Sequence, residues 1–140
     1  MTRDDVVAVL MRRVDAVSRR DWNAFSELYA DTARLESPLG GAVQGPDAIT
    51  RATEAFFVAF PDAAIATEPP VVDGDRALML AEITGTHHGG IMGLPASGRP
   101  FRIMVAQIFV VQDHRIVEDR RVYDFTGLLV QIGVLKAKPA

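Results

Sequence analysis

Cysteine is absent, which removes disulfides and thiolate metal sites from consideration. No Lys/Arg cluster is interleaved with aromatics, and with a net charge of −3 this argues against a nucleic-acid partner. No apolar run approaches the length that spans a bilayer, so a membrane is not an expected partner either. The opening residues, MTRDDVVAVLMRR, carry acids early and break their apolar positions with charges, unlike a secretory signal. A cytoplasmic location is the expectation. Histidines number three, and His87 and His88 are adjacent, so on a strand they point to opposite faces. With no third ligand at recognisable spacing, no metal site is expected. Repeats, linkers and low-complexity segments are also lacking.

What is present is ordinary for a globular chain: 140 residues, 49% hydrophobic and 24% charged, enough for one domain over residues 1–140 with a real core. Val6, Val7, Leu10, Met11, Val14 and Val17 recur at helical spacing behind a possible Thr2 or Asp4 cap. Asp21 opens a second, short helix whose apolar side holds Trp22, Phe25, Leu28 and Tyr29. Gly45-Pro46-Asp47 opens a third, with Ile49, Ala52, Phe56 and Phe60 on one face. Trp22 and Phe25 have the simple role of core packing open to them. Tyr29 needs a partner for its hydroxyl if buried. Phe56 and Phe60 either seal the core or wall an apolar cavity.

From Ala63 onward the helical period disappears. Thr32–Ser37 alternates like a short strand, and Ala63–Val72 reads as a strand weakened by Pro69-Pro70. Asp73-Gly74-Asp75 turns the chain into a strand over Arg76–Thr86, which carries Glu82 among apolar residues. A Gly/Pro-rich loop follows His87. Helices first and four long antiparallel strands after them give an α+β domain with helices on one face of a curved sheet. The outer face of the strand from Phe101 holds Met104, Ala106, Ile108 and Val110, too apolar for open water, so a homodimer through that face is expected.

The richest stretch is Phe101–Val134: a strand, the turn Asp113-His114, a second strand and a short apolar tail. Pairing Gln112 with Arg115 and counting back without interruption sets one face. Phe101, Ile103, Val105, Gln107, Phe109 and Val111 then stand beside Ile116, Glu118, Arg120, Val122 and Asp124. Polar groups on such a wall are costly unless paired or used, which nominates Gln107, Arg120 and Asp124 as a catalytic set. Tyr29, Glu36, Phe56, Phe60, Glu82, His87 and Trp22 are the candidates for binding an apolar small molecule.

Several motifs, in order, carry a resemblance. They are Asp31-Thr32, Glu36-Ser37-Pro38, Gly45-Pro46-Asp47-Ala48-Ile49, Ala59-Phe60-Pro61-Asp62, Asp73-Gly74-Asp75 and Gly85-Thr86-His87. Gly93–Arg99, Arg115-Ile116-Val117-Glu118 and Tyr123–Gly133 complete them. Over nearly the whole chain this series resembles the SnoaL-like polyketide cyclase (ester cyclase) family. The resemblance implies a cone-shaped barrel, shared with nuclear transport factor 2 and ketosteroid isomerase. A strongly curved, mainly antiparallel sheet would hold three N-terminal helices in its concave face. It also implies a cofactor-free intramolecular aldol condensation that closes a ring, with Asp124 as general acid/base. Gln107, Arg120 and Glu36 stand where many members carry histidine, tryptophan and histidine. Two other functions remain open on the same fold: an epoxide hydrolase, and a non-catalytic binding module.

Overall fold

In the computed structural model, which describes residues 1–136, three helices precede most of the sheet, and each begins where a cap allows it. Helix α1 (Arg3–Arg19) starts at Thr2, whose hydroxyl accepts from the Asp5 N–H while the Asp5 carboxylate accepts from the Thr2 N–H. It ends at Arg20, held in the left-handed region at φ 56°. Its buried face is Val6, Val9, Leu10, Arg13, Ala16 and Val17, so a guanidinium sits within the apolar stripe. Asp21 caps α2 (Trp22–Glu27) through the Ala24 N–H. Helix α3 (Pro46–Ala59) follows Gly45, whose φ of 90° favours glycine, with proline in the first turn where its missing N–H is harmless.

The strands are β1 (Tyr29–Ser37), β2 (Gly41–Gln44), β3 (Ala64–Thr67), β4 (Val71–Asp73), β5 (Arg76–Thr86), β6 (Pro100–Gln112) and β7 (Arg115–Val122). They form a curled, unclosed sheet in the order β2-β1-β7-β6-β5-β3, with β4 also paired to β5. The expected α+β architecture is present, in more detail than four antiparallel strands convey. β1 begins at Tyr29 rather than Thr32 and runs parallel to β7. The stretch expected as one strand over Ala63–Val72 is two, because Pro69-Pro70 cannot donate to a ladder. The apolar tail after β7 forms a fourth helix, α4 (Phe125–Gln131). Leu10, Phe25, Leu35, Phe60, Phe109 and Leu128 are among the fully buried core side chains. Among the described residues, no helix is long and apolar enough to cross a membrane.

One irregularity decides what faces the interior. Gln112 pairs with Arg115 and Val111 with Ile116, as the Asp113-His114 turn requires; both turn residues have positive φ, 50° and 61°. The next pair, however, is Val110 with Glu118, so Val117 is an extra residue in β7. This bulge inverts every later position. Phe109 then pairs with Asp119 and Gln107 with Arg121. The uninterrupted register expected from sequence is therefore wrong beyond Ile116. Asp119 and Arg121 point inward, while Glu118, Arg120 and Val122 face out.

Candidate functional site

An apolar cavity of about 340 Å³ lies between α1, α3 and the concave faces of β5, β6 and β7. Val17, Phe56, Phe57, Ile83, Ile103 and Val105 supply much of its wall, and Ile91 and Met92 approach from the loop between β5 and β6. Its polar lining includes Arg13, Thr53, Gln107, Arg121 and Tyr123. Gln107 and Arg121 are cross-strand partners, so their side chains emerge side by side.

Behind that pair is a buried network. Asp119, 0% exposed, accepts from the Tyr29 hydroxyl at 2.5 Å and from Arg121 Nη2 at 2.9 Å and Nε at 3.2 Å. Arg13 Nη2 reaches the same carboxylate at 3.4 Å, and Arg13 Nε donates to the Tyr29 oxygen at 2.8 Å. Arg121 Nη2 also donates to Thr53 Oγ at 2.9 Å, while that hydroxyl donates to the Ile49 carbonyl. The Arg13 guanidinium is packed against the rings of Phe25 and Phe109, 5.3 and 5.0 Å from their centroids. Side chains from α2, β1, β6 and β7 thus hold Arg13 in one place, and side chains from α3 and β7 hold Arg121.

The electrostatics follow from that geometry. Burial would raise the Asp119 carboxyl, but the Arg121 and Arg13 charges outweigh it and hold it below the ordinary carboxylate range. Burial would lower the Arg121 guanidinium, and Asp119 more than reverses this, so Arg121 stays charged. Burial pushes the Tyr29 phenol up, with Asp119 adding to the effect against the pull of Arg13. Tyr29 is therefore a neutral donor. Two cations and one anion leave the cluster with a net charge of +1.

The residues nominated from sequence divide by placement. Gln107 and Phe56 line the cavity. Tyr29 is buried one layer behind it and finds the partner its hydroxyl needs. Trp22 packs on Phe25 and Phe57, and Phe60 packs on Phe56 and Phe101; both support the wall from behind. His87 is buried against Phe60, its Nδ1 accepting from the Ser97 N–H at 3.1 Å, so it orders the following loop. Three acids lie elsewhere. Glu82 is on the outer face of β5, paired with Arg102 at 2.8 Å. Glu36 is exposed and sits 3.5 Å from exposed Arg120. Asp124 is exposed and caps α4, accepting from the Gly127 N–H at 2.8 Å. The bulge is the reason Arg120 and Asp124 do not reach the cavity.

Sequence reasoning missed Arg13, Thr53, Asp119 and Arg121. Arg13 had a legible signal, since it lies three and four residues from the buried Leu10 and Val9 on one helix face. Thr53 likewise lies four residues after Ile49.

A family model for SnoaL-like polyketide cyclase matches residues 8–132. The chain belongs to this family. Several chains of known structure superpose closely on it. TsrD from Streptomyces laurentii is 24% identical with a TM-score of 0.83, covering 96% of this chain and 99% of its own. IdmH from Streptomyces antibioticus is 25% identical with a TM-score of 0.78, covering 91% and 98%. A protein with ketosteroid isomerase-like fold from Catenulispora acidiphila is 19% identical with a TM-score of 0.74, covering 94% and 97%. These likenesses establish the fold, that of nuclear transport factor 2 and ketosteroid isomerase. No curated protein matches the chain. Family membership makes a cyclase-type function the general expectation for this SnoaL-like domain, and its cavity gives that expectation chemical content.

Proposed function

We propose that this SnoaL-like chain is a cofactor-free cyclase or isomerase-type enzyme that stabilises the enolate of an apolar carbonyl compound. The observation that supports it is the Gln107–Arg121 pair at the end of an apolar cavity, backed by a buried carboxylate. In this scheme the carbonyl oxygen lies against the Arg121 guanidinium and the Gln107 amide. The carbon-bound proton passes to water at the cavity mouth, and negative charge develops on the oxygen. Fixed donors in a low-dielectric site stabilise that charge without reorganising. The enolate carbon then adds to a second carbonyl of the same molecule, closing a ring, and water returns a proton to the new alkoxide.

Asp119 has a supporting role in this scheme. Its oxygens are occupied by Arg121, Arg13 and Tyr29, so it fixes the donors instead of taking the proton. Epoxide hydrolysis is less well supported, because it needs a carboxylate able to activate water and none of the described residues lining the cavity supplies one. We also propose that two copies pair through the outer sheet face. There Leu78, Leu80, Met104 and Val122 are exposed beside charges of both signs, Arg102 with Glu82 and Arg120 with Glu36, which a two-fold-related copy complements.

Deuterium exchange tests the catalytic scheme. Incubated in heavy water with an apolar aryl ketone such as 1-tetralone, the protein accelerates incorporation next to the carbonyl. By mass spectrometry the rate should fall about 100-fold in Arg121→Met, the loss typical of one oxyanion donor, and less in Gln107→Leu. Exchange no faster than buffer, or undiminished in Arg121→Met, overturns the scheme.

A further inference from the structure

We propose that the ligand this cavity takes is an apolar monoanion, a carboxylate carried on an aromatic or aliphatic body. The inference rests on the cavity being the substrate site but not on turnover. Among the described residues that line the cavity, Arg13 and Arg121 are the charged ones; no aspartate, glutamate or lysine joins them. Asp119 neutralises one of the two from behind and has no exposed surface with which to neutralise more. The adjoining hollow of about 200 Å³, which shares Arg13, Val17 and Gln107, adds Arg20 and, among the described residues, again no acid. Arg20 donates from Nη1 and Nη2 to the Val17 and Ala63 carbonyls, and among the described residues no carboxylate pairs with it.

Donor capacity points the same way. Arg13 spends Nε and Nη2 on Tyr29 and Asp119, and Arg121 spends Nε and Nη2 on Asp119 and Thr53. Among the described residues, Nη1 of each has no hydrogen-bond partner, and neither is a sealed atom, since His87 Nε2 alone is buried without one. Each Nη1 group therefore keeps some accessible surface, and both arginines line the cavity. A surplus positive charge among apolar walls is costly when empty of a counter-charge, and a bound carboxylate supplies both that charge and acceptors for the free N–H groups. Its planar, delocalised oxygens also resemble those of the enolate in the proposed reaction.

Titration calorimetry with 2-naphthoate and 2-naphthamide, which share one ring body, tests this. Wild-type protein binds the carboxylate about tenfold or more tightly than the amide. The preference disappears in Arg121→Met and survives in Arg121→Lys. Equal affinities, a preference for the amide, or binding of neither compound overturns the inference. The wild-type comparison decides even if Arg121→Met fails to fold. Absent anion preference with ketone exchange intact sinks this inference alone, and the reverse result sinks only the catalytic scheme.

Discussion

Asp119→Ala and Asp124→Ala should differ sharply, and the difference can be worked from their surroundings. Asp119 accepts from Tyr29, Arg13 and Arg121 with no exposure to solvent. Its removal strands two guanidinium groups and a phenol in an apolar interior. Breaking one side of a buried ionic cluster costs about 3–5 kcal/mol. At roughly 3 °C per kcal/mol for a chain of this size, Tm falls by about 10–15 °C. Asp124, exposed at the start of α4, provides a cap whose loss costs about 1 kcal/mol. Urea unfolding followed by the lone tryptophan, Trp22, measures both. Acid adds a second signature. The folded Asp119 carboxyl lies below its unfolded value, so the unfolded chain binds more protons between the two. The stability this group provides is present above about pH 4 and lost as pH falls through the lowered value. The gap between wild type and Asp119→Ala should therefore narrow in acid. A variant within 1 kcal/mol of wild type, or a larger loss in Asp124→Ala, would refute the bulged register and restore the uninterrupted one.

Two further predictions concern the tyrosines and the sheet face. Burial pushes both phenols, Tyr29 and Tyr123, up. Above about pH 10 the unfolded chain releases these protons while the fold retains them, so stability falls as pH rises and phenolate absorbance should grow only with unfolding. Phenolate appearing at its ordinary pH in native protein would contradict the burial. Leu80→Glu places a charge in the middle of the proposed pairing face, 38% exposed in one copy, and should shift sedimentation from dimer to monomer with little change in urea midpoint. Wild-type protein that is already monomeric would dispose of the pairing.

The fold was legible because its local signals agree with one another. The Thr2 and Asp21 caps, Pro46 after Gly45, and the Asp113-His114 turn each appear where chain chemistry requires them. The polar wall of the cavity was not legible, because a period-2 pattern carries no mark of an inserted residue. Val117 suits a strand interior, and nothing local in Arg-Ile-Val-Glu-Asp-Arg-Arg-Val separates a bulge from simple alternation. The choice is made by tertiary contacts distant in sequence. With the bulge, Asp119 meets Arg13 and Tyr29, which lie 106 and 90 residues away. Without it, Glu118 and Arg120 would face the core in their place. Arg13 on the apolar stripe of α1 is the complement of that acid, so an unexplained cation in one element predicts an anion to be found in another.

The placement of Asp119 behind Arg121, instead of in the cavity, changes what chemistry this cavity can support. A carboxylate on the wall would be a base whose strength depends on remaining desolvated and unpaired. Here the acid is doubly paired and buried, and it holds in place a guanidinium that lines the cavity. The surface offered to a ligand is thus electrophilic, with Arg121 and Gln107 in front and Arg13 alongside. Such a site gains most when negative charge arises on the bound molecule, whether as an enolate formed there or a carboxylate that arrives with it. Substituting Gln107 by Glu would cancel the surplus charge at the same position and size. Both ketone exchange and carboxylate preference should then fall together, although the fold keeps every contact of the Asp119 network.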